Sequence, residues 1–215
     1  MKKWSILAAT AALTFMLGAC GTEETEEKSS AKTEETSAES TGAFPMKVKS
    51  LSEGSEDEEA GTKTVFEDVT LEEQPERIVT LDYGFLDTLD ALGVEGIVGV
   101  ASNGGKGNMP EHLKEKYVND DIADVGSLKE LNLEAIAAAE PDAIFISGRQ
   151  TSYYEELKEI TPNVIFVGSD NTDYIAGILE TVDLAADIFG KEDKAKELKE
   201  ELEAKVAEVK EKAAG

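Results

Sequence analysis

The sequence predicts an α/β fold in which a mostly parallel sheet is flanked by helices and followed by one long helix. Three observations lead to this prediction: short apolar runs rich in β-branched residues recur, amphipathic helical patterns separate them, and one helical pattern fills residues 191–213. Strands that alternate with helices are joined by right-handed crossovers, which give a parallel sheet covered on both faces. Ligands of such sheets bind beyond the carboxyl ends of the strands.

The individual elements follow in chain order. Alternating residues predict a short edge hairpin at 64–71, with Glu67 and Asp68 near its turn. Parallel strands are predicted at 77–81, 97–100, 143–147 and 164–167. Helices are predicted at 85–92 before Gly93, from Pro110 onward, around Leu133 and Ile136 up to Pro141, at 152–160 and at 173–189.

The last helix has an apolar stripe with spacings of three and four residues. The stripe consists of Ala195, Leu198, Leu202, Val206, Val209 and Ala213. Glutamates at 192, 201 and 208 each precede a lysine by four residues, an order that stabilises helices. At 1.5 Å per residue the helix reaches roughly 35 Å. Two interpretations remain open, a coiled-coil arm or a rigid strut that carries a second lobe.

The amino terminus has the pattern of an export signal. Lys2 and Lys3 precede an apolar stretch at 4–17, which is too short to span a membrane. The sequence Leu-Gly-Ala-Cys that ends at Cys20 resembles the lipobox of bacterial lipoproteins. This resemblance implies cleavage after residue 19, lipidation of Cys20, and a lipid-anchored protein on the outer face of the cytoplasmic membrane. The alternative is an ordinary secretory signal with an incidental cysteine.

Composition divides the remaining chain into three parts. Residues 20–61 are rich in Glu, Thr, Ser and Lys, and we expect a disordered acidic tether. Phe44, Met46, Val48 and Leu51 are the apolar exceptions, and a docking motif is the alternative interpretation of them. Residues 62–190 are expected to form the α/β lobe, and residues 191–215 the long helix. The net charge of −25 argues against a nucleic-acid partner.

Several rival chemistries are disfavoured. The glycine-rich segment at 104–107 lacks both the Ser or Thr after Lys106 and the first glycine of a phosphate loop, since Val100 stands in its place. His112 is the single histidine, so a cluster of imidazoles for bare metal cannot form. We find no set of nucleophile, base and orienting residue. We therefore expect a binding protein, not an enzyme, with no cofactor.

A series of segments resembles the iron-siderophore substrate-binding lipoproteins of ABC importers, and the catecholate-binding branch is the most similar. The segments are QPERIV at 74–79, DTLDALG at 87–93, VGS at 125–127, NLE at 132–134, EPDAI at 140–144 and ISGRQ at 146–150. The resemblance runs from residue 64 to the end. It implies one lobe of a helical-backbone periplasmic-binding-protein fold together with its bridging helix, and we expect the second lobe to be absent from this chain.

The resemblance implies that Arg149 lies in the siderophore pocket. Arg149 is one of two arginines and follows a buried strand directly. A ferric tris-catecholate is multiply anionic and its iron is saturated by oxygens, so the protein supplies a fixed cation and donors. Gln150, Tyr83, Lys106 and Asn108 are further ligand candidates. The alternatives are a surface arginine in a helix-opening loop and a tyrosine that only packs.

The resemblance also implies that Glu134 pairs with arginines of the membrane permease. A first-turn glutamate that complements the helix dipole is the alternative, and the two roles are compatible. Two function classes remain open. One is the capture lobe of a ferric-siderophore importer, with haem or cobalamin as other ligands, and the other is an exported lipoprotein that binds another protein chain.

Overall fold

The computed structural model describes residues 43–57, 62–168 and 173–214. Within these ranges the strands are β1 Met46–Val48, β2 Gly54–Asp57, β3 Thr62–Val65, β4 Val69–Leu71, β5 Ile78–Thr80, β6 Ile97–Val100, β7 Ala123–Asp124, β8 Ala143–Ile146 and β9 Val164–Phe166. The α-helices are α1 Tyr83–Leu92, α2 Glu111–Tyr117, α3 Leu133–Ala138, α4 Tyr154–Ile160, α5 Tyr174–Phe189 and α6 Glu192–Ala214. A 3₁₀ helix, Gly148–Tyr153, lies directly before α4.

A five-stranded sheet in the order β7-β6-β5-β8-β9 forms the centre of the fold, and every neighbouring pair of strands is parallel. This arrangement confirms the predicted α/β fold. All residues of β5, β8 and β9 are buried, as expected for parallel strands that helices cover on both faces. The two-residue strand β7 was not predicted.

Each face of the sheet has its own apolar cluster, because successive residues of a strand point to opposite sides. In β8, Phe145 joins the cluster under α1 and α5, whereas Ile144 and Ile146 join the cluster under α3 and α4. The rings of Phe85 and Phe145 lie 4.5 Å apart between centroids. Each such buried side chain contributes about 1.5 to 3 kcal/mol. Because the strands are packed on both faces, the loops at their carboxyl ends start from fixed positions.

Two antiparallel strand pairs precede this sheet and correct the hairpin predicted at 64–71. Strand β1 pairs with β4, with Met46 opposite Leu71, and β2 pairs with β3. The two halves of the predicted hairpin thus pair with strands further toward the amino terminus and not with each other. Phe66, which lies between them, is 5% exposed and packs its ring on Phe166.

The same strands correct the predicted boundary of the tether. Met46 and Val48 belong to β1, and the backbone N–H of Leu51 donates to the carbonyl of Phe166 at 2.9 Å. Ser50 Oγ accepts from the N–H of Phe166 at 3.2 Å, so this segment covers the outer edge of β9. Residues 43–57 are therefore part of the folded region. Cys20, the predicted signal peptide and residues 20–42 lie outside the described residues.

The long helix α6 agrees with the prediction for 191–213. Its first turns are covered, with Ala195 2% exposed, but Val209 is 65% exposed. Two of the three predicted glutamate–lysine pairs form, Glu201 with Lys205 and Glu208 with Lys212. Among the described residues, no helix has the length and apolar character needed to cross a bilayer.

Candidate functional site

A cleft of about 410 Å³ lies where the loops after β5, β6, β7 and β8 meet. Because these strands are parallel, their carboxyl ends share one edge of the sheet, which is where ligands bind in open α/β sheets. The cleft is lined by Tyr83, Asn103, Gly107, Asn108, Ser127, Leu128, Lys129 and Arg149. Three of the five predicted ligand residues, Tyr83, Asn108 and Arg149, thus line one site.

Arg149 reaches the cleft from the first turn of the 3₁₀ helix. The side chain is exposed, and within residues 43–57, 62–168 and 173–214 it makes no ion pair. Gly148 and Ser147 precede it, and Ser147 follows the buried strand β8 directly as the N-cap of the 3₁₀ helix. Arg149 therefore presents a permanent cation that is available to an anionic ligand.

Tyr83 forms one wall of the cleft and is half-buried. Its hydroxyl donates to the carbonyl of Ala101 at 2.7 Å, which ties the start of α1 to the loop after β6. Burial raises the pKa of Tyr83, the Asp124 carboxylate raises it further, and Arg149 opposes this rise. The phenol is therefore neutral at physiological pH, and the ring offers an apolar face with a polar tip.

Asp124 holds the loop after β6 in place. Its carboxylate accepts from the backbone N–H groups of Asn103, at 3.0 Å, and of Gly104. Asn103 adopts a left-handed conformation with φ of 52°, and Asn108 lies further along the same loop. Lys106 is exposed and does not line the cleft, so the structure does not bring this predicted ligand residue to the site.

Gln150 also differs from its predicted role. The residue is 0% exposed, and its amide oxygen accepts from the N–H of Ser147 at 3.0 Å. Its amide nitrogen donates to the carbonyl of Leu128 at 2.6 Å. With both amide atoms engaged inside the protein, Gln150 does not reach the cleft surface.

The turn Ser127–Glu130 contributes residues that the sequence analysis missed. Ser127, Leu128 and Lys129 line the cleft, and Lys129 adds a second exposed cation to that of Arg149. The signal that could have found them is the segment VGS at 125–127, which follows the short strand β7. That strand has too few residues to produce a periodic pattern, so the turn was not placed at the sheet edge.

Glu134, the predicted permease contact, and His112, the single histidine, do not line the cleft. Glu134 is exposed in the first turn of α3, where the helix dipole favours a carboxylate. His112 pairs with Asp87 at 2.7 Å between α2 and α1. The described part of the chain contains no cluster of three His, Cys, Asp or Glu residues suited to a metal ion.

A larger cavity of about 750 Å³ lies between β1 and α5, with an apolar floor. Its rim carries four carboxylates, from Glu180, Asp183, Asp187 and Glu192, against two lysines. Burial raises the pKa of Asp187, as do Asp183 and Glu192. Such a rim repels anions, so the smaller cleft around Arg149 is the better site for an anionic ligand.

Known proteins are similar to this chain over most of the described residues. A family model described as a periplasmic binding protein matches residues 78–215. The petrobactin-binding protein YclQ of Bacillus subtilis is 32% identical over 210 residues, which are 98% of this chain and 58% of YclQ. The crystal structure of YclQ superposes with a TM-score of 0.60 over 74% of this chain and 52% of that chain.

Two other solved structures are similar. The iron uptake ABC transporter substrate-binding protein PiuA of Streptococcus pneumoniae is 34% identical, with a TM-score of 0.62 over 69% of this chain and 51% of PiuA. The siderophore-binding protein BauB, bound to ferric iron and two molecules of acinetobactin, is 26% identical. Its TM-score is 0.61 over 69% of this chain and 51% of BauB. The chain thus spans about half the length of these proteins.

Proposed function

Because this chain belongs to the periplasmic binding protein family, we propose that it captures a ferric siderophore of the catecholate type in the cleft around Arg149. The captured complex is then delivered to an ABC importer. The observation that carries this proposal is the pair of exposed cations, Lys129 and Arg149, facing one cleft in a chain whose net charge is −25. An acidic protein that concentrates cations at one cleft selects for an anionic ligand.

The other cleft residues suit the same ligand. A catecholate offers aromatic rings and negative oxygens, which match the Tyr83 ring, the Leu128 side chain and the two cations. Asn103, Asn108 and Ser127 add hydrogen-bonding groups around them. The siderophore brings all ligands of the iron, so the protein needs no metal-binding cluster of its own. Petrobactin, named for YclQ, and the complex of ferric iron with acinetobactin that is bound to the siderophore-binding protein BauB support this choice of ligand class.

Delivery and anchoring complete the proposal. Glu134, exposed at the start of α3, contacts a cationic residue of the permease, in the manner that the family resemblance implies. Cys20 carries the lipid that keeps the protein at the outer face of the membrane. PiuA is named as a substrate-binding protein of an iron uptake ABC transporter, which supports an importer as the partner.

The test is a titration of the full natural chain with ferric tris-catecholate, in which the quenching of tyrosine fluorescence measures binding. Arg149→Ala should weaken binding by about 1.5 to 3 kcal/mol, because one charge-assisted contact is lost. Arg149→Lys should recover only part of this loss, since lysine lacks the planar fork of guanidinium. Lys210→Ala removes the same charge from the exposed part of α6 and serves as the control. Equal affinity of Arg149→Ala and the parent would show that Arg149 does not contribute to ligand binding.

A further inference from the structure

The buried amide of Gln150 links the two segments that carry the cleft cations. Its nitrogen donates to the carbonyl of Leu128 at 2.6 Å, and Leu128 directly precedes Lys129. Its oxygen accepts from the N–H of Ser147 at 3.0 Å, at the point where β8 ends and the 3₁₀ helix begins. Gln150 is itself the chain neighbour of Arg149. One side chain therefore joins the strand end, the 3₁₀ helix and the turn Ser127–Glu130.

Three hydrogen bonds brace that turn internally. The N–H of Ser127 donates to the carbonyl of Glu130 at 2.9 Å. Ser127 Oγ accepts from the N–H groups of Lys129, at 3.3 Å, and Glu130, at 3.0 Å. Backbone bonds to Asn103 and Asn132 hold the base of this turn at Gly126 and Val125. The link between the turn and the 3₁₀ helix then holds Lys129 relative to Arg149.

Few hydrogen bonds make this link. Besides the bond from Gln150, the Tyr153 hydroxyl donates to the carbonyl of Lys129 at 3.5 Å, near the limit of a hydrogen bond. The Gln150 bond is shorter and partly buried, whereas the Tyr153 bond is exposed, so water competes less for the Gln150 bond and it is the stronger of the two. Gln150 is thus the principal tie between the two cation-bearing segments.

We propose that Gln150 is a positioning residue, which holds the turn Ser127–Glu130 against the 3₁₀ helix and so fixes the spacing of Lys129 and Arg149 for an anionic ligand. This inference rests on the proposed function for the identity of the ligand. The link that Gln150 makes between the turn and the 3₁₀ helix, called the clamp below, can be measured without a ligand. The role requires an amide, because one atom must accept from Ser147 while another donates to Leu128. A carboxylate at this position would face the Leu128 carbonyl with a second acceptor.

The first test compares Gln150→Met with Thr151→Val in the full chain. The Thr151 hydroxyl donates to the carbonyl of Gly148 within the same 3₁₀ helix and not to the turn, so it is the matched control. In Gln150→Met, amide relaxation should show the order parameters of Leu128 and Lys129 falling from about 0.85 to below about 0.6. Affinity for ferric tris-catecholate should fall about five- to tenfold, as expected for one neutral hydrogen bond. Thr151→Val should match the parent in both measurements.

The second test uses Gln150→Glu at two pH values. Burial raises the pKa of a carboxyl group, to about 8 to 9 in extreme cases, so the introduced acid is protonated near about pH 5. The second pH is chosen above its pKa, which a carbon chemical-shift titration of the introduced carboxyl locates in the Gln150→Glu variant. The protonated form has both a donor and an acceptor and should restore parent-like order parameters at the lower pH. The ionised form lacks the donor to Leu128 and should lower the order parameters of Leu128 and Lys129. A purely structural contribution of side-chain volume would give the same result at both pH values.

The outcomes separate the clamp from the proposed function. Unchanged order parameters in Gln150→Met, or no pH dependence in Gln150→Glu, would overturn the positioning role. If the parent does not bind ferric tris-catecholate, the proposed function is wrong. The relaxation data would still show whether Gln150 holds the turn against the 3₁₀ helix. If Gln150→Met does not fold, the pH comparison in Gln150→Glu gives the decision.

Discussion

Gly107 faces the Tyr83 hydroxyl so closely that a Cβ atom at position 107 would lie 2.9 Å from the phenolic oxygen. The same Cβ atom would lie 3.2 Å from the backbone carbonyl oxygen of Ser102. Real Cβ atoms essentially never lie 2.9 Å from another heavy atom, so any side chain here displaces the tyrosine or the loop. Gly107 therefore allows the loop after β6 to close onto the wall of the cleft.

Gly107→Ala is expected to destabilise the protein by about 1 to 3 kcal/mol, because the added methyl group overpacks a filled site. It should also weaken siderophore binding, since the bond between Tyr83 and Ala101 is strained. Gly148→Ala is the control, because a Cβ at position 148 meets no atom within 4 Å. Urea denaturation of both variants measures the difference. Equal unfolding midpoints for the parent and Gly107→Ala would contradict the close contact.

Phe66 anchors the amino-terminal strands to the sheet, and Phe66→Ala tests this role. Its ring stacks on Phe166 at 4.2 Å and meets Tyr154 edge-on at 5.2 Å between centroids. Removing a buried aromatic ring costs about 3 to 5 kcal/mol. Val65 is its chain neighbour but is 57% exposed, so Val65→Ala should change the free energy of unfolding by less than about 0.5 kcal/mol. Similar losses for both variants would show that the Phe66 ring does not pack against the sheet as described.

The Tyr117 phenol and the Asp90 carboxylate join α2 to α1 through a hydrogen bond of 2.8 Å. Burial raises the pKa of Tyr117 to about 12, and the bond to Asp90 contributes to the rise. Burial alone would also raise the pKa of Asp90, but hydrogen bonds from Lys116 and Tyr117 outweigh it and hold that pKa below its usual value. Both shifts favour the neutral phenol beside the ionised carboxylate.

The raised pKa of Tyr117 predicts a loss of stability at high pH. A group whose pKa is higher in the folded state stabilises the fold fully below its unfolded pKa of 10.0, and this contribution disappears as the pH rises toward about 12. The parent should lose on the order of 1 to 2 kcal/mol more than Tyr117→Phe over this interval. Urea denaturation at several pH values measures both proteins. Parallel pH profiles would show that Tyr117 has no raised pKa.

Cys20 is expected to anchor the protein to the membrane, and Cys20→Ala tests the lipobox prediction. Without the thiol that accepts lipid, the variant should move from the membrane fraction to the soluble fraction. Mass spectrometry should find acyl chains on the parent and none on the variant. Cys20→Ala protein that stays entirely with membranes would contradict lipid anchoring through this residue.

The parallel sheet could be predicted from sequence because its strands are short, apolar and separated by amphipathic helices. Strand β1 could not, because Met46 and Val48 lie in a polar segment and their partners, Leu71 and Val69, are more than twenty residues away. Strand β7 is too short to show any periodicity. Local sequence patterns therefore predict the elements whose own residues are apolar and periodic. They do not predict the strands that form only because a distant segment pairs with them.

The cleft was predictable to a similar extent. Arg149 and Tyr83 follow strands that the sequence marks clearly, so their position at the carboxyl edge could be expected. Lys129 follows the strand that was missed. Gln150 is adjacent to Arg149 in sequence, but its burial depends on the Leu128 carbonyl, a backbone group that no sequence pattern identifies.

Amide chemical-shift mapping with gallium tris-catecholate, the diamagnetic counterpart of the ferric complex, tests the central claim most directly. The ligand would be titrated into isotope-labelled protein of the full natural chain. We expect saturable shifts at Tyr83, in the loop around Asn108, in the turn Ser127–Glu130 and at Arg149, which line or border the cleft. Shifts confined to the acidic cavity between β1 and α5, or no saturable shifts at all, would contradict the cleft as the siderophore site.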